Sequence, residues 1–279
     1  MRLPQGLTGS LNWWVLNIAL PALVLELIPR VHFETQLWFL PVAMWLVFAG
    51  AWVLFAVLGP LLGWSRARVG AVILAAGLGN TALVGFPLIE ALRGKDGMAL
   101  AVLTDQLGGL IALAVGAITV AAIYSGGKPE PRVIVRRILY FPAFHAMILG
   151  FIVGAFGGWP AELDGLFARV GATLTPIALF SIGAQFNLHL DRSRLGATAC
   201  ALGWKLALAP LGVYALGMAA GIDGLVLAVA VLQAGMAPMV STAILADQYG
   251  LEKDVTSMAL GAGILISLFS IPWMNHLLR

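Results

Sequence analysis

Two polar-interrupted stretches of an otherwise apolar sequence contain most of the residues that could bind a solute. The first is GNTALVGFPLIEALRG, residues 79–94, and the second is LQAGMAPMVSTAILADQYG, residues 232–250. Both have the apolar character of a membrane helix but contain glycine and proline, which an uninterrupted helix avoids. Irregular backbone at membrane depth is tolerated where it is buried in protein or lines a wet cavity. Each stretch therefore predicts a broken helix beside a binding site.

The candidate binding residues lie in or near these stretches. The amide of Asn80 could satisfy backbone groups freed by the break or contact a ligand, and both roles stay open. The two prolines have no N–H to donate. Their role is to free backbone groups and expose half-helix ends, whose N-terminal dipoles favour an anionic group. The predicted substrate-binding residues are Asn80, Thr81, Gly85, Pro87, Gln233, Pro238, Ser241 and Lys205.

Two ionisable residues are predicted to lie within the membrane. Lys205, in ALGWKLALAP, is the one cation placed in mid-span. A charge there costs roughly 3 kcal/mol on insertion scales, so a functional role is the default hypothesis, and a snorkelling or ion-paired lysine is the alternative. Asp105 lies about two turns into a predicted span and is the candidate for proton or cation coupling. Glu26, Glu90 and Asp247 lie nearer span ends, where interfacial or paired roles are predicted.

The sequence shows no constellation typical of an enzyme or a metal site. The four histidines lie far apart and lack the spacing of metal ligands. Ser181, in FSIGAQ, lacks the nucleophile-elbow pattern, and neither a serine–histidine pair nor a paired-aspartate constellation is visible. We therefore predict a protein that is not an enzyme and that uses neither a metal nor a cofactor. The histidines are His32, His145, His189 and His276.

Composition places the chain in the membrane. Of its 279 residues, 61% are hydrophobic and 10% are charged, against roughly 25% charged in a soluble domain, and the mean hydropathy is +0.96. The basic residues behind the net charge of +3 are scattered through short loops, so lipid and not nucleic acid is the predicted partner. The single cysteine, Cys200, allows no intramolecular disulfide. The first apolar segment contains Pro21 and is followed by no small-residue cleavage site, so it is predicted to be a span.

The fold class predicted is an all-α polytopic membrane protein with about nine spans. Short charged or glycine- and proline-bearing loops separate the spans, and no soluble domain is left over. The whole chain, 1–279, is therefore predicted to form a single transmembrane transporter domain. The approximate spans are 10–29, 36–59, 69–93, 98–124, 134–156, 166–187, 195–218, 223–248 and 256–277.

Loop charges predict the orientation in the membrane. Ten loop lysines and arginines fall on the N-terminal side and five on the other. The positive-inside rule then puts the N-terminus in the cytoplasm and, with nine spans, the C-terminus outside. The predicted location is a bacterial-type inner (plasma) membrane. The first group is Arg2, Arg66, Arg68, Lys128, Arg132, Arg136, Arg137, Arg192, Arg194 and Lys253, and the second is Arg30, Arg93, Lys95, Arg169 and Arg279.

Internal similarity predicts two related halves, 1–124 and 134–279. NIALPALVLEL around Pro21 resembles ATLTPIALFSI around Pro176. The distance to the proline of the interrupted stretch is 87 − 21 = 66 residues in one half and 238 − 176 = 62 in the other. Since five spans separate equivalent elements, the halves enter the membrane in opposite senses, as an inverted repeat. The fifth span has no counterpart, so the first half lacks an initial helix.

These motifs resemble the auxin efflux carrier family of membrane transporters. An N-x-x-x-x-G-x-P-L pattern is matched by Asn80, Gly85, Pro87 and Leu88. A second element is matched by the set Gln233, Pro238, Gln248, Tyr249 and Gly250, and TPIALFSIGAQF is similar to a third family block. The resemblance covers nearly the whole chain. It implies a fold related to bile acid:sodium symporters, with ten helices in an inverted repeat and two crossing, discontinuous helices. This sequence departs from that pattern by lacking the first helix.

The predicted function is a secondary transporter of a small organic anion or weak acid working by alternating access. The residues favour a carboxylate because half-helix N-termini, amides and one lysine would converge on it. The resemblance implies auxin-like weak acids or small dicarboxylates. A sodium-coupled bile-acid-type symporter or a proton antiporter on the same fold is the alternative, and a channel is disfavoured because channels seldom need an inverted pair of broken helices. The oligomeric state, including a homodimer, is left open.

Overall fold

The structure, a computed structural model, describes residues 6–31, 34–128, 130–185 and 191–278. Arg2, His32, His189 and Arg279 lie outside this part of the chain. The described residues form helices and turns, and their one β-type contact is a single bridge between Gly79 and Pro238. The predicted all-α class of a polytopic membrane protein is confirmed.

Twelve helical elements describe the architecture, and their labels are used below. Those before residue 160 are α1 Leu7–Arg30, α2 Thr35–Leu61, α3 Arg66–Gly77, α4 Thr81–Tyr124, α5 Pro131–Leu139 and α6 Pro142–Ala155. The later ones are α7 Ala161–Gly171, α8 Leu174–Gln185, α9 Leu195–Ala219, α10 Gly224–Ala234, α11 Val240–Gln248 and α12 Lys253–Leu277. Several include short π-helical turns, as at Thr81–Gly85 and Thr104–Gly109 in α4.

Six stretches among the described residues are long and apolar enough to cross a membrane. They are Leu7–Arg30, Thr35–Leu61, Thr81–Tyr124, Ala161–Ala184, Leu195–Ala219 and Lys253–Leu277, with Pro142–Ala155 and Gly224–Ala234 as shorter apolar helices. The 44 residues of α4 contain a bend at Gly94, where φ is 67° and ψ is −162°. That conformation is left-handed and favours glycine. The count of nine spans and the inverted repeat stay predictions.

The segment predicted as one span over 134–156 differs from the structure. It is divided into α5 and α6 at Tyr140 and Phe141, so the prediction of a single continuous helix there is wrong. The physical reason is Pro142, which holds the preceding Phe141 in an extended conformation, with φ −84° and ψ 114°. α5 becomes a short separate helix before the apolar α6.

Two helices are broken in the interior, and these breaks position the site. α3 ends at Gly77 and α4 begins at Thr81, while α10 ends at Ala234 and α11 begins at Val240. Both predicted broken helices are therefore present. α3 packs against α2, α9 and α12, and α10 packs against α2, α4 and α9. Because helices cover the breaks on several sides, the irregular backbone is buried, as membrane depth requires.

Candidate functional site

The two breaks touch each other through their backbones. The Asn80 amide donates to the Ala237 carbonyl at 2.7 Å, and the Met239 amide donates to the Leu78 carbonyl at 3.1 Å. Gly79 and Pro238 stand opposite each other between these two bonds. In this type of antiparallel pair the facing residues do not use their own N–H groups, so a proline at 238 loses no hydrogen bond. The breaks thus satisfy part of each other's backbone and form one joint unit.

The start of α4 is capped by a side chain. The amide oxygen of Asn80 accepts a hydrogen bond from the Leu83 amide at 3.2 Å, and the Asn80 carbonyl accepts one from Gly85 at 2.9 Å. Asparagine is among the strongest N-cap residues. The amides of Thr81 and Ala82 remain without an intrahelical acceptor because they lie in the first turn.

The start of α11 is organised differently. Met239 provides no side-chain cap, and its carbonyl instead accepts from the Thr242 amide at 3.1 Å. The amides of Val240 and Ser241 lie in the first turn and have no intrahelical acceptor. Each half-helix therefore presents two open amides at its positively polarised end.

Both half-helix N-termini border one cavity of about 190 Å³. Asn80, Ala82 and Leu83 line it from the first half-helix, and Met239, Val240 and Ser241 line it from the second. The remaining wall comes from α1, the second arm of α4 and the residue directly before α6, namely Leu16, Leu20, Asp105, Leu110, Leu113 and Phe141. The cavity is mostly apolar with convergent polar groups, which is typical of a small-molecule site.

The Asn80 side chain has a hydrogen-bond donor that capping does not use. It is 2% exposed, and its amide nitrogen has no partner among the described residues. A buried donor left without an acceptor costs free energy of roughly 1–3 kcal/mol. Asn80 lines the cavity, so a ligand oxygen that reaches this nitrogen would satisfy it while the side-chain oxygen stays on the cap.

Asp105 places a carboxyl group on the same cavity. The Thr81 hydroxyl donates to one of its oxygens, and the Gln106 amide nitrogen donates to the other at 2.7 Å. Asp105 is 5% exposed, and within the described part of the chain no lysine or arginine forms an ion pair with it. An anion in the cavity would lie beside this group, so its protonation state bears directly on anion binding.

Lys205 lies against the crossing, the place where residues 78–80 meet residues 237–239, but it does not line the cavity. It is fully buried in α9, and its ammonium has no partner in the described residues. The ammonium lies 3.0 Å from the position that a Cβ on Gly79 would occupy, and the Gln233 carbonyl is 3.4 Å from that position. Gly79 follows the C-terminal end of α3, and Gln233 is in the last turn of α10. Helix C-termini carry partial negative charge, so a protonated Lys205 would be attracted to both of these ends.

Gln233 also lies behind the first half-helix instead of lining the cavity. Its amide nitrogen is 3.5 Å from the Thr81 carbonyl, and its oxygen lies 2.5 Å from where a Cβ on Gly85 would be. Only glycine fits at residue 85 with Gln233 in this position. Gln233 and Gly85 therefore pack α10 against the start of α4.

Pro87 lies away from the break. The break is at residues 78–80, and Pro87 lies inside α4 just after the π-helical turn Thr81–Gly85, the kind of local adjustment by which membrane helices accommodate a missing N–H. Asn80 is the last residue of the break and Thr81 begins α4, because the backbone leaves the helix directly after Gly77.

The structure therefore brings together Asn80, Asp105 and Ser241 at the cavity, and places Lys205 and Gln233 behind the crossing. Sequence reasoning missed the apolar wall of Leu16, Leu20 and Phe141, for which a uniformly apolar sequence gives no signal. It also missed Gly263, where a Cβ would lie 2.5 Å from the Pro238 ring. A glycine in the helix that faces the broken one is the signal that could have found it.

Comparison with known families agrees with this geometry. Residues 3–275 match the model of a family described as membrane transport protein. The chain belongs to this family. The match spans nearly the whole sequence, so the resemblance to auxin efflux carriers and the transporter class are confirmed, and the described helices are those of a multi-pass membrane transporter.

Three relatives show the range of the membrane transport protein family. An uncharacterized transporter of Methanothermobacter thermautotrophicus is 24% identical over 95% of this chain and 87% of its own length. A putative malonate transporter of Rhizobium meliloti is 24% identical over 99% of this chain and 88% of its own. A probable auxin efflux carrier component of Oryza sativa is 30% identical over 51% of this chain and 42% of its own.

Proposed function

We propose that this membrane transporter is a secondary carrier of a small organic anion. The observation that supports the proposal is the convergence of two half-helix N-termini on one cavity that Asn80 lines, with the Asn80 amide nitrogen left without an acceptor among the described residues. Backbone amides at a helix N-terminus are a ready-made anion site because donors and dipole act together. Broken helices that meet in the interior are typical of secondary transporters.

The substrate class is a small monocarboxylate or dicarboxylate. At about 190 Å³ the cavity is smaller than the roughly 300–1,000 Å³ pockets that hold drug-sized ligands, which favours a small carboxylic acid. Its apolar wall would cover the carbon skeleton, and the amides would hold the carboxylate. Two relatives, named for malonate and for auxin, are both named for carboxylic acids. A sugar would want a more polar lining, and a metal ion would want more carboxylate oxygens.

The proposed mechanism is alternating access, in which the joined breaks and their helices move against the remaining helices. Asp105 is the proposed coupling group. A charged carboxylate beside an anion repels it, so anion binding favours the neutral acid and a proton accompanies the substrate. Transport is then driven by the substrate's own gradient or by protons. Lys205 places its amino group beside the half-helix C-termini, where a protonated lysine would take the place of a sodium ion.

The proposed orientation has the N-terminus in the cytoplasm of a bacterial-type inner membrane and the C-terminus outside. Reporters active only in the periplasm or only in the cytoplasm, fused after Arg279, test this. Periplasmic activity is expected, and activity in the cytoplasm alone would contradict the nine-span topology.

The decisive experiment reconstitutes the purified protein in liposomes and measures exchange of labelled organic anions, with and without sodium and a pH gradient. We expect exchange of a small carboxylate without sodium, strongly reduced by Asn80→Ala. Pro87→Ala, which lies outside the break, should reduce it less. Sodium-dependent uptake of a sterol-like anion would instead support the alternative, a bile-acid-type symporter. Exchange unaffected by Asn80→Ala would remove the broken helix from the mechanism.

A further inference from the structure

The short helix α5 carries an exposed surface that the transport site does not use. Ile134 and Ile138 are partly buried, and α5 packs against residues 112–117 of α4 and against α6. Its other side leaves Val135 53% and Leu139 52% exposed, and Tyr140 after it is 76% exposed. Large apolar groups exposed together on a short helix mark a surface that meets a partner.

Basic side chains lie among these apolar ones. Arg132 and Arg136 are exposed, and with Pro131, Val135, Leu139 and Tyr140 they line a shallow groove of about 570 Å³. The Arg136 guanidinium carbon lies 5.5 Å from the centre of the Tyr140 ring, which holds the two side chains together. The groove therefore combines positive charge with an apolar floor.

The exposed arginines place this groove at the membrane surface. The 14 residues of α6 extend about 21 Å at 1.5 Å per residue, so α6 alone does not cross the roughly 30 Å hydrocarbon core. Because exposed charges are costly in hydrocarbon, Arg132 and Arg136 place α5 near the boundary between hydrocarbon and headgroups. The segment 128–137 also contains four basic residues, Lys128, Arg132, Arg136 and Arg137, and loop charges predict that it faces the cytoplasm.

We propose that this groove binds the headgroup of an anionic phospholipid. Arg132 and Arg136 hold the phosphate, and the acyl chains cover Val135 and Leu139. An interfacial helix with basic and apolar groups side by side fits a lipid because both halves of the molecule find a partner. A soluble acidic protein would satisfy the arginines but would leave the apolar side chains without a hydrocarbon phase.

Phe141 connects the lipid groove on α5 to the transport cavity. The Tyr140 amide donates to the Arg136 carbonyl at 2.9 Å, and the Phe141 amide donates to the Ile138 carbonyl at 3.2 Å. Phe141 lines the cavity. A lipid that fixes the last turn of α5 therefore also fixes this wall residue, so anionic lipid increases the transport rate. This second step rests on the proposed function, whereas the lipid site itself does not.

The test is native mass spectrometry of the full chain in detergent, titrated with phosphatidylglycerol or phosphatidylcholine. We expect preferential retention of phosphatidylglycerol by the wild type, and about thirtyfold weaker binding by the Arg132→Gln/Arg136→Gln variant, since two basic contacts are removed. Arg169→Gln, which removes an exposed arginine of α7, is the matched control and should bind as the wild type does. Arg132→Lys/Arg136→Lys should retain most of the preference, because charge is kept.

Three results would overturn the site: equal retention of both lipids by the wild type, unchanged retention by the glutamine variant, or displacement of the lipid by glycerol phosphate at equal concentration. Loss of a protein dimer in the glutamine variant without a change in lipid retention would assign the groove to a second copy of the chain. The comparison of the two lipids on the wild type stands even where a variant folds poorly.

Anion exchange in liposomes tests the consequence. Exchange by the wild type should be several-fold faster when phosphatidylglycerol is added to phosphatidylcholine, and the glutamine variant should show no such increase. Equal rates in both lipids would refute the link through Phe141. Absence of exchange of any anion in either lipid would count against the proposed function, while the mass spectrometry still decides the lipid site.

Discussion

The two breaks at the centre of the molecule cap the helix that follows them in different ways. In both, the amide of the N-cap residue bonds to the opposite break, and the third amide of the new helix bonds to the N-cap residue. Both leave two first-turn amides beside the cavity. The first break caps its helix with the Asn80 side chain, whereas the second uses only the Met239 backbone.

The surroundings of the breaks differ as well. The first occupies residues 78–80, with Gly79 pressed against the Lys205 ammonium and the Gln233 carbonyl. The second occupies residues 235–239, and its Gly235 faces the flexible ends of Met274 and Ile271. The first break therefore packs against a lysine and offers a side chain, whereas the second packs against apolar side chains and offers backbone amides. Substitutions that affect one break and spare the other test this division.

Matched glycine substitutions should give the largest effect. A Cβ at residue 79 would lie 3.0 Å from the Lys205 Nζ and 3.2 Å from its Cε, and the fully buried lysine has little room to move. We expect Gly79→Ala to destabilise the fold by roughly 1–3 kcal/mol and to abolish anion exchange, because overpacking shifts the backbone that joins the breaks. Thermal unfolding in detergent and liposome exchange measure the two effects.

Gly235→Ala is the control for this prediction. Its Cβ would lie 3.2 Å from the Met274 sulfur, 3.3 Å from the Ile271 Cδ1 and 3.5 Å from the Pro210 Cγ, which are all apolar neighbours. The midpoint of unfolding should stay within a few degrees of the wild type, with exchange retained. Equal damage from the two alanines would show that the breaks are packed alike.

The second prediction separates the two roles of Asn80. Aspartate is as good an N-cap as asparagine, so Asn80→Asp should keep the stability that Asn80→Ala loses, roughly 0.5–2 kcal/mol. Aspartate also replaces a donor with a negative charge in the cavity. We therefore expect anion affinity to fall about tenfold to a hundredfold in Asn80→Asp, since a hydrogen bond to a charged group contributes about 1.5–3 kcal/mol. Calorimetric titration and thermal unfolding measure both properties.

This prediction has a distinct failure. An Asn80→Asp protein that is stable and binds the anion as tightly as the wild type would restrict residue 80 to capping. The anion site would then lie elsewhere, and the asymmetry between the breaks would be purely structural.

The breaks themselves were predictable from the sequence because glycine, proline and asparagine in an apolar run have few other uses. The pairing of Gly79 with Pro238 was not. It depends on which backbone amides remain free after both helices stop, and that is decided by packing of α3 and α10 against other helices. For the same reason the sequence did not show that Pro87 lies beyond the break.

Ionisable residues show a second limit of sequence reasoning. Asp105 and Lys205 both stood out as charges in apolar segments, and both are buried. The sequence could not show that Asp105 faces the cavity and Lys205 lies behind the crossing. Successive side chains on a helix point about 100° apart, so an error of one residue in the helix register changes the face on which a side chain lies. The π-helical turns at Thr104–Gly109 and Trp204–Leu208 change that rotation locally.

The third prediction concerns the proton on Asp105. When anion binding takes up one proton, the apparent affinity falls by up to tenfold for each unit of rising pH, because the deprotonated carboxylate repels the ligand. Asparagine stays neutral and keeps the shape of the side chain. Asp105→Asn should therefore bind the anion with an affinity that changes little with pH. Titrations over a pH series measure this, with Glu90→Gln, on a carboxylate bonded to Thr175 away from the cavity, as control.

Parallel pH profiles for the wild type and Asp105→Asn would move the coupling proton to another group. That result would also exclude Thr81 from the coupling step. The Thr81 hydroxyl is linked to the proton on Asp105 by its hydrogen bond to that carboxyl group.

The smallest effect is expected at the second break, from Ser241→Ala. Ser241 lines the cavity in the first turn of α11, where its backbone amide has no intrahelical acceptor. Alanine removes the hydroxyl and keeps that amide in place. If the second break acts through its backbone, the anion KM should rise no more than about threefold, less than one neutral hydrogen bond can contribute, and stability should be unchanged. Initial exchange rates over a range of anion concentrations measure this.

Ser241→Pro, which deletes the amide at the same residue while proline is tolerated in the first turn, should raise KM far more. If the two variants raise KM equally, the hydroxyl and not the amide is the contact, and the second break then recognises its ligand by a side chain just as the first does.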